Sequence, residues 1–138
     1  MSVLIKGGLI VTSTGRYVAD VYADGDKIKT IGIDLDNPAD EVVDARGKYV
    51  LPGTIDPHTH IAMPFMGTYA QDDYETGTIA AACGGVTTLG DFDLQQKGES
   101  LREAIERKQS WAEGKAAVDY SLHPAIMDPR PEVIEEVK

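Results

Sequence analysis

Two histidines separated by one residue, His58 and His60, are the side chains in this sequence best suited to hold a metal ion. In a β-strand, residues i and i+2 face the same side and lie about 7 Å apart along the backbone. Two imidazoles on one face can therefore converge on a single cation, at about 2.1 Å each. Asp56 lies two residues before His58, so it is expected on the same face of the strand, where it can orient one of the rings. The spacing alone fits a metal site or two surface histidines near a strand end.

The place of the pair in the chain favours the metal site. The sequence has 3 histidines, and two of them fall at the C-terminal end of a strand in a predicted βα series, where parallel α/β folds place their sites. His123 ends another predicted strand and can line the same pocket, although a hydrogen-bonded structural role is favoured for it. Asp91 is predicted at the end of the strand between them, supporting a ligand rather than capping a loop. Asp93 is predicted to face solvent.

An apolar cluster, Met63, Phe65 and Met66, follows the histidine pair directly. Exposed apolar side chains in a connection reduce solubility, so the cluster either folds onto the core or a subunit contact, or forms a wall for a substrate substituent. We favour the substrate wall, because binding residues collect on the loops that follow the strands of α/β folds.

The histidines must be held by a βα series that starts near residue 53. Strands are predicted at 54–60, 86–92 and 117–123. Helices are predicted from Asp72, with Glu75 in the capping-box position, to Cys83, from Ser100, with Glu103 three residues on, and over 132–138. This order builds a parallel sheet through right-handed crossovers. Trp111 is predicted in the core, and Cys83 is predicted to be packed rather than reactive.

Residues 1–52 have a different pattern, in which short predicted strands alternate with turn signals. Gly7-Gly8 is predicted to separate two strands, and Asp24-Gly25 to form a hairpin turn. The predicted strands lie at 3–5, 9–11, 16–23, 27–33, 42–43 and 49–51. These are too few to close a sandwich unaided.

The fold class predicted is α/β, with β-sandwich strands in residues 1–52 and the first three βα units of a barrel in residues 53–138. Three βα units are too few for a closed eight-stranded barrel, which takes about 250 residues. We therefore expect either a fragment of a longer polypeptide or a chain that a partner completes.

Composition narrows the function classes. The 138 residues carry 13 Lys and Arg against 23 Asp and Glu, a net charge of −10. Such an acidic surface repels phosphate backbones and anionic lipid, so neither nucleic acid nor a membrane is an expected partner. The one cysteine cannot form an internal disulfide, and no signal or transmembrane segment is evident, so a cytoplasmic protein is predicted.

Several segments together resemble the metal-dependent amidohydrolase superfamily, and more narrowly its hydantoinase and dihydropyrimidinase family. The first segment that carries this resemblance is Gly53-Thr54-Ile55-Asp56-Pro57-His58-Thr59-His60. It follows a strand meander that ends in Pro52. The other segments that carry the resemblance are residues 63–68, 72–78 and 81–88, Asp91-Phe92 and residues 118–123.

The resemblance implies a hydrolase that opens a small cyclic amide ring. Members hold two divalent metals, usually zinc, at the mouth of a (β/α)8 barrel, and His58 and His60 match two ligands of the same metal. The remaining ligands, a carboxylated lysine, two histidines and an aspartate, are expected beyond Lys138, which itself is predicted to be a solvated helix residue. The chain alone is therefore predicted to be inactive. The family is commonly tetrameric, which implies a homo-oligomer.

Other functions stay open at this point. Dihydroorotases and allantoinases share the two-histidine strand, although the apolar loop argues against the acidic substrate of a dihydroorotase. A non-catalytic assembly protein of the same fold is a further alternative, against which the two retained histidines count. A short independent subunit or binding module is a third, and an intact mass of the natural protein would distinguish it.

Overall fold

The computed structural model describes residues 1–137, which divide into two compact units. The first unit is Met1–Pro52, and the second begins at Gly53. The predicted solvated position of Lys138 lies outside the described residues.

The first unit is a five-stranded mixed sheet. Its strands are β1 Ser2–Thr12, β2 Gly15–Asp24, β3 Lys27–Gly32, β4 Glu41–Asp44 and β5 Tyr49–Val50. The spatial order is β3-β2-β1-β4, with β5 also paired to β1. Pairs β1–β2 and β2–β3 are antiparallel, whereas β4 and β5 run parallel to β1. A second layer, as the expected sandwich requires, stays a prediction.

The predicted break at Gly7-Gly8 is wrong, because β1 is one continuous strand. Its pairing with β2 shifts register between Ile5 and Gly8, and Gly7 has a φ of 68°. The Gly7 N–H donates a hydrogen bond of 2.7 Å to the buried Asp20 carboxylate. The two glycines therefore form a bulge held by a side chain of the neighbouring strand.

The second unit alternates strands and helices, so the predicted α/β class is confirmed. Its elements are β6 Thr54–Thr59, β7 Pro64–Phe65, β8 Thr68–Tyr69, α1 Tyr74–Cys83, β9 Val86–Leu94, α2 Leu101–Ala112, β10 Asp119–Ala125 and α3 Pro131–Glu135. Strands β6, β9 and β10 form a parallel sheet of order β10-β9-β6. Closure of such units into a barrel stays a prediction.

Capping side chains set where the two longer helices begin. Helix α2 has the expected capping box of Ser100 and Glu103, with hydrogen bonds of 3.1 and 2.8 Å. The capping box of α1 begins one residue later than predicted, at Asp73 rather than Asp72. Its N-cap is Asp73, whose carboxylate accepts a hydrogen bond from the Thr76 N–H at 2.9 Å, while the Thr76 hydroxyl accepts from the Asp73 N–H at 3.2 Å.

The core that supports β6 consists of four buried residues, Ile61, Tyr74, Leu89 and Ala112. Trp111 packs against them and is partly buried, close to its predicted core position. Cys83 is exposed, contrary to the expected packing. Helix α1 buries Tyr74 and Thr78, so its apolar residues on other faces remain accessible. None of the helices described over residues 1–137 is long and apolar enough to span a membrane.

Candidate functional site

The structure brings the His58 and His60 rings together at the carboxyl end of β6. Their Nε2 atoms lie 3.0 Å apart, and both side chains are exposed. Two nitrogens bound at about 2.1 Å to one tetrahedral metal would be about 3.4 Å apart, close to this separation. With the ring proton on Nδ1 in both residues, each Nε2 keeps a lone pair that a cation can accept. The pair can thus supply two ligands to one cation.

A local irregularity in β6 aims these side chains. Between Asp56 and Thr59 the strand advances three residues while β9 advances two, from Leu89 to Asp91. Simple alternation, on which the predicted convergence rested, is therefore interrupted just where the pair begins. A bulge of this kind re-aims side chains beside active sites.

Gly90, on the facing strand, makes room for the irregularity. A Cβ atom at this position would lie 2.7 Å from the Pro57 carbonyl oxygen and 2.8 Å from His123 Nε2. Only a glycine lets the Pro57 backbone and the His123 ring approach β9 this closely.

Phe92 packs among the three histidines of the chain. Its ring stacks on His58 with centroids 4.3 Å apart, and its centroid lies 6.0 Å from that of His60 and 5.2 Å from that of His123. His123 therefore joins the cluster through Phe92. Sequence reasoning did not assign Phe92 to the site. Phe92 follows Asp91 in β9, the strand that pairs with β6.

Asp56 acts on the backbone of the motif. Its carboxylate accepts a hydrogen bond of 3.1 Å from the His58 backbone N–H. This contact holds the main chain at the irregularity, and the expectation that Asp56 orients an imidazole ring stays a prediction.

Asp91 lies within β9, not at its end, and is fully buried. Its Oδ1 accepts hydrogen bonds from the Thr59 hydroxyl at 2.9 Å and the Ile61 N–H at 2.8 Å. Its Oδ2 accepts one from the Tyr74 hydroxyl at 2.6 Å and lies 3.1 Å from Lys108 Nζ. Burial, and then the hydrogen bond to Asp91, raise the pKa of the Tyr74 hydroxyl, so it stays a donor. Asp91 thus ties down the chain on both sides of His60.

Lys108 was missed by the sequence analysis. It lies on α2 with no exposed surface, between Ala104 and Ala112 on the buried stripe of the helix. The signal was available, because a lysine four residues from each of two buried alanines occupies a core position of an amphipathic helix.

The prediction that Asp93 faces solvent is wrong. Asp93 is 1% exposed, and its Oδ2 lies 2.8 Å from the Arg107 guanidinium. Arg107 also binds Glu99 at 2.9 Å, which lowers the pKa of the Glu99 carboxyl. Asp91 and Asp93 share one face of β9, and each meets a cation of α2.

A short hairpin, β7–β8, follows the histidines and carries the predicted apolar cluster. Its pairs are Pro64–Tyr69 and Phe65–Thr68, so Met66 and Gly67 form a two-residue turn, with φ of 50° and 82°. Positive φ at both positions is typical of a type I′ turn, where Met is an unusual choice. Sequence reasoning treated this segment as an irregular loop.

The hairpin forms a mainly apolar cavity of about 320 Å³ next to His60. The residues that line it are His60, Met63, Phe65, Thr68, Tyr69 and Ala70. Met63 is buried, and Phe65 is 56% exposed. Met66 is 89% exposed at the hairpin tip and does not line the cavity. Of the predicted apolar cluster, Met63 and Phe65 therefore lie at the cavity and Met66 does not.

The described residues supply only part of a metal-binding set. No group of three or more His, Cys, Asp or Glu side chains within residues 1–137 is placed to hold a metal ion. Within the described residues, the two Nε2 atoms are the pair whose separation fits a shared cation.

Comparison with known proteins gives one consistent family. The model of the amidohydrolase family matches residues 49–135. A D-hydantoinase of Geobacillus stearothermophilus is 53% identical over 137 residues, which are 99% of this chain and 29% of the relative. A dihydropyrimidinase of Rattus norvegicus is 45% identical, over 98% of this chain and 27% of the relative.

Solved structures agree with the sequence comparison. A D-hydantoinase crystal structure, 50% identical, superposes with a TM-score of 0.93 over 99% of this chain and 30% of the other. The dihydropyrimidinase of Brevibacillus agri NCHU1002, 49% identical, also gives a TM-score of 0.93 and likewise covers 99% and 30% of the two chains. This chain thus spans just under a third of the length of these relatives.

Proposed function

Because this chain belongs to the amidohydrolase family, we propose that it supplies part of the active site of a hydantoinase or dihydropyrimidinase, which opens a cyclic amide ring by hydrolysing a C–N bond. The observation that carries the proposal is the pair of Nε2 atoms of His58 and His60, 3.0 Å apart at the end of a parallel strand. Relatives named D-hydantoinase and dihydropyrimidinase support the substrate class.

The proposed cofactor is a divalent metal held by His58 and His60, with zinc as the favoured ion and two metals in the complete site. Histidine nitrogen is a usual zinc ligand, and two imidazoles make half of a tetrahedral set. The remaining ligands are proposed to come from residues that this chain does not contain. The proposed scaffold is a (β/α)8 barrel to which β6, β9 and β10 contribute neighbouring strands.

A divalent metal at this position would lower the pKa of a bound water towards 7 and stabilise negative charge on the carbonyl oxygen. The residues of this chain prepare that chemistry. His58 and His60 place their Nε2 atoms 3.0 Å apart, and Phe92 stacks on the His58 ring. Asp91 accepts hydrogen bonds from the Thr59 hydroxyl and the Ile61 N–H, on either side of His60.

The cavity under the β7–β8 hairpin is proposed to bind the substituent of the substrate ring. Its lining carries no acidic side chain, lysine or arginine, which suits an apolar or aryl group better than a carboxylate. This favours a hydantoin or dihydropyrimidine over dihydroorotate. The test is a substrate panel: the natural protein should open hydantoin or dihydrouracil, and activity confined to dihydroorotate would contradict the assignment.

Phe65→Ala is expected to change substrate preference without destabilising the protein. Phe65 lines the cavity while more than half exposed, so burying an aryl substituent against it is worth about 1–3 kcal/mol. The ratio of kcat/KM for an aryl-substituted hydantoin to that for the unsubstituted ring should fall about 5- to 150-fold at unchanged metal content.

Met63→Ala is the matched control for this experiment, because Met63 lines the same cavity but is buried. Removing its side chain leaves a cavity, at a cost of about 2–5 kcal/mol of unfolding free energy. We expect a lower melting temperature for Met63→Ala only. If Phe65→Ala instead lowered kcat/KM equally on both substrates and also lowered the melting temperature, Phe65 would be assigned to the core.

The resemblance also implies a homotetramer, which stays a prediction. Sedimentation of the natural protein measures its assembly state directly.

A further inference from the structure

Lys108 is a buried charge that the proposed chemistry does not use. Its Nζ lies 3.1 Å from Asp91 Oδ2 and donates a hydrogen bond to the Ile61 carbonyl oxygen. The same ammonium lies 5.5 Å from the ring centroid of Tyr74 and 5.6 Å from that of Trp111. Lysine is rarely buried completely, and a buried ion pair is often no more stable than an apolar pair of similar volume. Stability is therefore a weak reason for a lysine here.

The contacts of this ion pair converge on one peptide segment. The Ile61 N–H donates to Asp91, and the Ile61 carbonyl accepts from Lys108. Thr59, on the other side of His60, donates its hydroxyl hydrogen to the same carboxylate. The chain is thus held before and after His60, so the start of the His60 side chain has little freedom to move.

We propose that Lys108 is a positioning residue for the metal site, which acts by holding the Ile61 carbonyl so that His60 Nε2 stays beside His58 Nε2. This inference rests on the proposed metal-binding role of the two histidines. Lys108 is fully buried and acts through Ile61 and through Asp91. Lys108 and Tyr74 both contact Asp91 Oδ2 and together orient that carboxylate.

The neighbouring ion pair provides a matched control. Arg107 and Asp93 also join α2 to β9, with N···O of 2.8 Å, and Asp93 is as deeply buried as Asp91. The Arg107 guanidinium likewise lies over Trp111, at 5.3 Å. Its other hydrogen bonds go to Glu99 and to the Leu94 carbonyl, away from the histidine segment. Loss of either pair weakens the packing of α2 on β9, but only the Lys108 pair holds Ile61.

The experiment compares metal affinity in the natural protein and in three variants, Lys108→Met, Lys108→Met with Asp91→Asn, and Arg107→Met. The double variant removes both charges, so it leaves no buried charge unpaired and should fold even where Lys108→Met does not. Metal is removed and Co²⁺ is titrated back against a chromophoric chelator, with the visible spectrum of bound Co²⁺ as a second readout. Residues that orient metal ligands typically change affinity about 10- to 100-fold.

We expect both Lys108 variants to bind Co²⁺ about 10- to 100-fold more weakly and with an altered spectrum, while Arg107→Met keeps the wild-type affinity despite a lower melting temperature. Wild-type affinity in a folded Lys108 variant would overturn the proposal. So would equal weakening in Arg107→Met, or failure of both Lys108 variants to fold, because either result assigns the pair to stability alone. Metal retained without His58 and His60 would instead refute the proposed site itself.

Discussion

In the complete protein, the double variant His58→Ala, His60→Ala should lose the proposed divalent metal and with it the proposed ring-opening activity. The two Nε2 atoms lie 3.0 Å apart, so their removal would take away half of a tetrahedral ligand set. A metal held there would activate water and stabilise the oxyanion, and the variant would lose both contributions. The fall in kcat should be larger than the roughly 10²- to 10³-fold fall that follows loss of a single oxyanion donor. Metal analysis and a hydantoinase assay on the same preparation measure the two effects.

The fold of this variant should survive, because both side chains are exposed and leave no cavity. His123→Ala is the control of the same residue type, since its ring contacts Phe92 and lies outside the Nε2 pair. We expect it to retain metal. A folded double variant with its metal content unchanged would contradict the proposed site.

Asp91→Ala should lower the free energy of unfolding by about 3–5 kcal/mol. The substitution leaves the Lys108 ammonium buried without its counter-ion, and it also removes the acceptor of the Thr59, Ile61 and Tyr74 hydrogen bonds. Urea unfolding in the presence of a chelator measures the loss without a contribution from bound metal.

Glu132→Ala is the control for that measurement. Glu132 forms a shorter ion pair, 2.7 Å from Arg130, but its side chain is 62% exposed. Exposed pairs contribute about 0–1 kcal/mol, so this variant should unfold close to wild type. Comparable losses of unfolding free energy in the two variants would show that burial does not explain the contribution of the Asp91 ion pair.

Local features of the chain were predictable because they depend on residues close in sequence. Ser100 and Glu103 cap α2 as expected, because both hydrogen bonds of a capping box are made within one turn. The alternation of strands and helices after Gly53 follows from the hydrophobic period of the sequence. The cap of α1 was misplaced by one residue, since Asp72 and Asp73 are both chemically suited to it.

Features that depend on a partner distant in sequence were decided by the tertiary structure. Gly7-Gly8 has the composition of a turn, but Asp20 on the paired strand converts it into a bulge. The irregularity of β6 depends on Gly90, across the sheet. Neither partner can be chosen from the local sequence.

The charged residues show the same division most clearly. By composition alone, Asp93 and Lys108 belong at the surface, because an isolated charge is strongly disfavoured in an apolar interior. Burial became possible only when the fold placed Arg107 beside Asp93, and Asp91 beside Lys108. The sequence by itself thus indicated which side chains are suited to bind a metal. The packing of α2 on β9 decided which charges are buried beside β9, because only a folded neighbour can offset the loss of water around a charge.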